Sequence, residues 1–326
     1  MYIIEEENID IVPVDFNVFY NMAKEYKKNI RFSREYTISE SFFNELCYYI
    51  SDSSNEIIAL DMENIVSYPT RMFSRLEKCL KKIVFYNIEN VKVKQMLTED
   101  LEELVWIDDT IAYYFDNDGQ NISKMVINSC EKTREKEVKR IVSSIVRSEE
   151  GKGQLLESSG LYSNCYVDIK KLFFNVDNYY YIVYSLAKVI SDKTLNMQID
   201  AFVSASKNGA ILANILGGLL DIKEVHLIGV GPKYSMELGD SVECLKQGKR
   251  YAYIFDFMCT GTELKIVSAL INSKKAYLPY AAGIAKYKKE MNSCNIESMD
   301  ILVDTDDLNI EYKIVGEKED LKLVMR

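Results

Sequence analysis

A chain of 326 residues with 48% hydrophobic content is long enough for two domains with sizeable cores, and only 4 Pro and 14 Gly argue against long disordered linkers. Lys and Arg number 40 against 50 Asp and Glu, a formal charge of −10, so a surface built to bind a phosphate backbone is not expected and nucleic acid is an unexpected partner. Seven scattered Cys without a C-x-x-C pair speak against a disulfide scaffold or zinc site, and the single His, His226, rules out a His-rich metal centre.

In the first half, apolar residues Ile9–Val14 precede a predicted helix around 16–27, and Ser39–Ile50 reads as a helix opened by a Ser cap. Glu56–Met62 has the character of a buried strand. Met72–Lys82 is amphipathic, with Phe73, Leu76 and Leu80 on one helical face. Ile83–Ile88 returns to strand and Val91–Leu104 to helix, an alternation that predicts a small α/β domain. The first ten residues are acidic where a signal peptide is basic, and no apolar run reaches membrane-spanning length, so a soluble, cytoplasmic protein is expected.

The run from Ile57 to Leu104 resembles the second half of a STAS-type domain, in which a strand ending in Asp leads through a phosphorylatable turn to a helix, a strand and a final helix. The matching turn is Pro69-Thr70-Arg71-Met72, so the resemblance puts Thr70 in the phosphoacceptor place, though the Asp and Gly of that turn are missing. The alternative is that Thr70 simply caps the following helix. The resemblance also implies a protein partner for this half. The polar cluster Asp116–Gln120 suggests the domain boundary, giving a first domain over 1–120. The alternating charges of 121–150 predict a connecting helix with a solvated face.

In the second half, Leu155–Leu172 carries a Ser-Ser-Gly turn followed by the strand-like CYVDI. Ile199–Leu220 reads as strand, small-residue loop and helix, Val225–Gly229 as strand, and Tyr277–Ala285 as strand. Between them the apolar run Tyr251–Phe257 passes through a polar turn, Met258–Thr262, into an amphipathic segment, Glu263–Ile271. A strand, a tight Gly turn and a helix make an anion site, because the helix-start N–H groups and dipole favour a phosphate. Strands alternating with helices predict a mainly parallel sheet over 151–326, with ligands at the carboxyl ends of its strands.

These pieces together resemble the type I phosphoribosyltransferase family, most closely its orotate branch. Ser159-Gly160…Ser163…Tyr166-Val167-Asp168 is similar to that branch's opening pattern, Ser204–Ala210 to its pyrophosphate loop, and YIFDFMCTGTEL to its phosphoribosyl-pyrophosphate (PRPP) signature. The resemblance implies a PRPP-binding transferase, usually with Mg²⁺, and a homodimer. It assigns Cys259, Thr260, Gly261 and Thr262 to the 5′-phosphate and Asp256 to the ribose. It assigns Ser206, Lys207, Asn208 and Gly209 to the pyrophosphate, and Lys233 as the cation of the loop 231–239.

The departures are equally specific. Phe255 replaces the first acid of the signature pair, and Ser158 stands where a Lys is usual. Glu263 replaces a hydroxyl residue, where its carboxylate is expected to compete with phosphate for the helix-start N–H groups. Two functions follow from the resemblance. One is a divergent orotate-type transferase with weakened catalysis that binds PRPP or a nucleotide. The other is a non-catalytic regulator whose first domain docks a partner. His226, inside an apolar strand, reads as structural, and Cys259 lacks an evident base to make it a nucleophile.

Overall fold

Short apolar runs of the first half become strands of one sheet. In a computed structural model, the described residues are 1–6, 8–26, 30–78, 81–114, 129–130, 132–148, 154–156, 161–163, 165–230, 242–287, 296–305 and 314–315. They form two compact units, Met1–Glu137 and Val138–Arg326. Both are α/β, and helices accompany their parallel strands. The predicted boundary cluster at 116–120 lies outside the described residues.

In the first unit, β1 (Ile4–Glu6) and β2 (Ile9–Pro13) make an antiparallel hairpin that runs into α1 (Val14–Tyr26). Then come β3 (Tyr36–Thr37), α2 (Glu40–Asp52), β4 (Ile57–Asp61) and β5 (Ile65–Ser67). After a 3₁₀ turn (Phe73–Lys78) follow β6 (Lys82–Tyr86), α3 (Val91–Asp100), β7 (Val105–Trp106) and β8 (Ala112–Tyr114). The main sheet has the order β1-β2-β4-β6-β8-β7, with β2, β4 and β6 parallel. Ser39 caps α2 as expected, accepting from the Phe42 N–H at 3.3 Å, and Asn90 caps α3. Phe73 sits edge-on between Phe43 and Phe85, with ring centroids 5.3 and 5.2 Å away, and centres the core.

The helix expected over 72–82 is a 3₁₀ turn instead. Arg71 adopts a left-handed backbone (φ 61°), and the Asp100 carboxylate accepts from the N–H groups of Arg71 at 2.9 Å and Phe73 at 3.1 Å. A carboxylate from the end of α3 therefore caps this turn. Thr70, which the sequence offered as its cap, is exposed and does not fill that role.

The second unit opens within α4 (Thr133–Ser144), followed by β9 (Val146–Ser148), β10 (Gln154–Leu156), β11 (Leu161–Ser163) and β12 (Cys165–Val167). A 3₁₀ turn (Ile169–Phe174) leads to α5 (Val176–Asn196). Next are β13 (Ala201–Ser204), α6 (Lys207–Leu220), β14 (Glu224–Leu227), β15 (Arg250–Met258), α7 (Thr262–Ser273), β16 (Tyr277–Lys286), β17 (Ser298–Asp304) and β18 (Ile314–Val315). The central sheet is entirely parallel, in the order β14-β13-β15-β16-β17.

Strand alternation divides β15 between two faces. Tyr251, Tyr253 and Phe255 pack in one buried cluster with Leu264, Val267 and Ile271 of α7. The residues between them, Ala252, Ile254 and Asp256, turn to the face carrying α6. Gly283 on β16 admits the Phe255 ring, since a Cβ built there would lie 2.2 Å from two ring carbons. Phe255, 2% exposed, is thus a core residue on the opposite face from Asp256.

Candidate functional site

The order β14-β13-β15 means that the chain leaves β13 for one neighbour and returns to pair on its other side. This is a topological switch point, where open parallel sheets form a crevice beyond their carboxyl strand ends. The two helices that start there are α6, after β13, and α7, after β15.

Ser206 builds the first wall. Its Oγ accepts from the Gly209 N–H at 2.9 Å as the N-cap of α6, and donates to Asp256 Oδ1 at 3.0 Å. One hydroxyl thereby ties the start of α6 to the carboxylate near the end of β15. Gly209 is required by close approach, because a Cβ would lie 2.3 Å from Ser204 Oγ and 3.1 Å from the Ile254 carbonyl oxygen. Replacing Ser206 by Ala should cost about 1 kcal/mol of stability, the usual worth of such a cap, read as a lowered urea midpoint. An unchanged midpoint would contradict the capping role.

The turn after β15 builds the second wall. Gly261 takes the left-handed conformation (φ 70°) as the N-cap of α7, where no side-chain cap exists, and the Thr260 and Thr262 hydroxyls stand 2.8 Å apart. Cys259 is half-buried beside them. Glu263 lies half-buried in the first turn of α7. Tyr253, 2% exposed, lies below the turn with its ring stacked on Phe255 at 5.9 Å. Burial first, then the Glu263 and Asp256 charges, hold this phenol well above its ordinary pKa, so it stays a donor.

Of the residues named from sequence, Ser206, Gly209 and Asp256 are joined directly, and Cys259, Thr260, Gly261 and Thr262 form the adjoining turn. Lys207 is exposed and Asn208 half-buried on the first turn of α6. Lys233, the loop 231–239 and Ser158 to Gly160 lie outside the described residues. Thr70 belongs to the other unit. His226 packs edge-on against Tyr251 at 5.9 Å, with Nε2 3.5 Å from Glu224, the first residue of β14. Burial lowers its pKa while Glu224 raises it, and it faces back toward the amino ends of the strands, in keeping with a structural His. Tyr253 was missed by sequence reasoning, although its place two residues before Phe255 puts it on the α7 face.

The first unit has a corresponding polar centre at the carboxyl ends of β2, β4 and β6. Arg134 of α4 bonds Asp15 at 2.7 and 3.2 Å, Asp61 at 2.6 Å and Glu63 at 3.2 Å. Asn64 donates to Asp15 and Asn87 to Asp61, at 2.9 and 3.0 Å. Burial pushes the Asp61 carboxyl above the usual carboxylate range, with Arg134 pulling it down and Asp15 and Glu63 adding to the rise. The expected solvated face of the connecting helix is therefore interrupted. Thr133 and Glu137 of α4 are buried, and Arg134 is an internal ligand of two buried carboxylates.

Among the described residues, no group of three or more His, Cys, Asp or Glu side chains is placed to hold a metal, and no helix is long and apolar enough to cross a membrane. No known family profile and no curated protein matches the chain. Among solved structures it is similar to the orotate phosphoribosyltransferase of Aeropyrum pernix, at 15% identity over 52% of this chain and 96% of that one, with a TM-score of 0.40. It is also similar to the adenine phosphoribosyltransferase of Leishmania donovani (12% identity, 56% of this chain and 83% of that one, TM-score 0.40). A third is the Trypanosoma brucei adenine enzyme in complex with AMP, pyrophosphate and ribose-5-phosphate (14% identity, 58% and 92%, TM-score 0.37). Likenesses at these scores carry no weight on chemistry, which has to rest on the crevice itself.

Proposed function

We propose that the second unit is a phosphoribosyltransferase-type domain whose switch-point crevice binds PRPP or a nucleotide. The observation that carries this reading is the Ser206 hydroxyl, which joins the first turn of α6 to Asp256 of β15 beside the left-handed Gly261 turn. Two helix starts and one carboxylate at a single switch point suit a ligand with two phosphate groups flanking a sugar. In this reading Cys259, Thr260, Gly261 and Thr262 receive the 5′-phosphate, and Asp256 accepts from ribose hydroxyls. Ser206, Lys207, Asn208 and Gly209 receive the pyrophosphate, to which Lys233 adds a cation.

Transfer at the anomeric carbon depends on positioning and on neutralising the leaving pyrophosphate. Mg²⁺, if bound with the ligand, supplies charge neutralisation there. A crevice with Asp256 and, among the described residues, no cluster of three metal-binding side chains fits an ion held chiefly by the ligand's own phosphates. Phe255, fixed in the core over Gly283, supports weakened transfer, because the first acid of the family's pair has no counterpart at the site. The same observation favours a second reading, in which the domain senses a nucleotide and the STAS-like first unit docks a partner, with Thr70 exposed to modification. In both readings the assembly is a homodimer and the compartment the cytoplasm.

Calorimetric titration of PRPP with Mg²⁺ tests the shared claim, with saturable binding at micromolar to sub-millimolar ligand expected. No heat with PRPP or any common nucleotide would overturn it. Pyrophosphate release on adding orotate or a purine base would select the transferase reading over the sensor.

A further inference from the structure

We infer that the first unit carries a docking groove for an arginine side chain of a basic peptide, at the outer edge of its sheet and independent of the crevice reading above. The groove, about 420 Å³ in volume, runs between α3 and the β7–β8 turn. Its aromatic lining is the indole of Trp106, half-buried on β7, the outermost strand. Trp106 Nε1 donates to Thr98 Oγ1 of α3 at 3.2 Å, which fixes the ring against the helix. Three carboxylates line the same groove, Glu99 from α3 and Asp108 and Asp109 from the turn, against the single ammonium of Lys94. Asp108 Oδ1 is held by the N–H groups of Thr110 at 2.6 Å and Ile111 at 2.9 Å. Among the described residues, the Glu99 and Asp109 carboxylates have no hydrogen bond or ion pair. The last carbonyls of α3 add partial negative charge, with no basic residue in its last turn to offset them.

Solvated carboxylates alone are ordinary surface; a half-buried indole set among them is what selects an organic cation. A guanidinium lies flat on an indole while its in-plane N–H groups reach carboxylates beside the ring, whereas an ammonium has no plane to stack. Glu102 and Glu103, exposed just beyond α3, continue the acidic surface, so a peptide with several basic residues matches it better than a lone small cation. A second copy of this chain, with its formal charge of −10, is repelled overall.

The test is a fluorescence titration of the full chain at low salt with a capped Gly-Arg-Gly-Arg peptide, since Trp106 is the chain's one Trp and reports from the groove itself. A saturable change in its emission is expected. The same peptide with citrulline in place of arginine keeps the shape without the charge and should give none. Glu99→Gln combined with Asp109→Asn should weaken binding by about tenfold; both side chains are exposed, so the fold is untouched. No saturable change with wild type, or wild-type affinity in the double variant, overturns the inference. Equal affinity for the lysine counterpart also overturns it, because charge alone would then suffice without a stacked guanidinium. Each of these failures leaves the PRPP reading of the second unit standing.

Discussion

Replacing Arg134 by Ala should cost the first unit about 3–5 kcal/mol, the range for removing one partner of a buried ion pair. Asp15 and Asp61 are 0% and 1% exposed, and the Arg134 guanidinium pairs with both. Without it, neutral donors such as the Asn64 and Asn87 amides and the Phe16 and Glu63 N–H groups remain, and these do not neutralise two buried charges. The chain's one Trp, Trp106, lies in this unit, so its fluorescence during urea unfolding reports the loss.

The pH dependence follows with a definite sign. Asp61 is already raised above its unfolded pKa, and removing the guanidinium raises it further. The native variant then holds protons that the unfolded chain has released. That stabilising contribution is complete below the unfolded carboxylate pKa and is lost as pH rises through the folded one. Acidifying the variant from neutral pH should recover part of the deficit, and Asp61→Asn in the Arg134→Ala background should recover part at neutral pH. A deficit below about 1 kcal/mol would mean that Arg134 is effectively a surface residue.

Gly283→Ala should destabilise the second unit by about 1–3 kcal/mol through overpacking. Gly283 is absent from the positive-φ positions, so the cost is steric. The new methyl would meet the Phe255 ring at 2.2 Å, and that ring is held between Gly283 and Tyr253 with no solvent to move into. Phe255→Leu should relieve the clash, making the double variant less destabilised than the sum of the two single ones. Strict additivity in thermal unfolding would show that the ring and the glycine are not coupled.

These two sites differ in how far the sequence exposes them. The loop Ser204–Ala210 and the turn Cys259–Thr262 are legible because strand, small-residue turn and helix follow one another locally, and each was placed within a few residues of its observed position. Phe255 was recognised as a missing acid. Its partner Gly283 was not, since their contact depends on the parallel register of β15 with β16. Arg134 was hidden in a segment whose alternating charges look solvated. Its ligands Asp15 and Asp61 lie far away in sequence, and only the parallel pairing of β2 with β4 brings them together. The 3₁₀ turn at Phe73–Lys78 follows the same pattern, because the capping Asp100 comes from another helix.

The most direct test of the crevice is a titration of isotope-labelled protein with ribose 5-phosphate, followed through backbone amide resonances. The amides of 204–209 and 260–264 should shift together and saturate with one dissociation constant, while those of Asp15, Asp61 and Arg134 stay in place. Saturable shifts that map elsewhere and leave both loops unmoved would contradict the assignment of the ligand to the β13–β15 switch point.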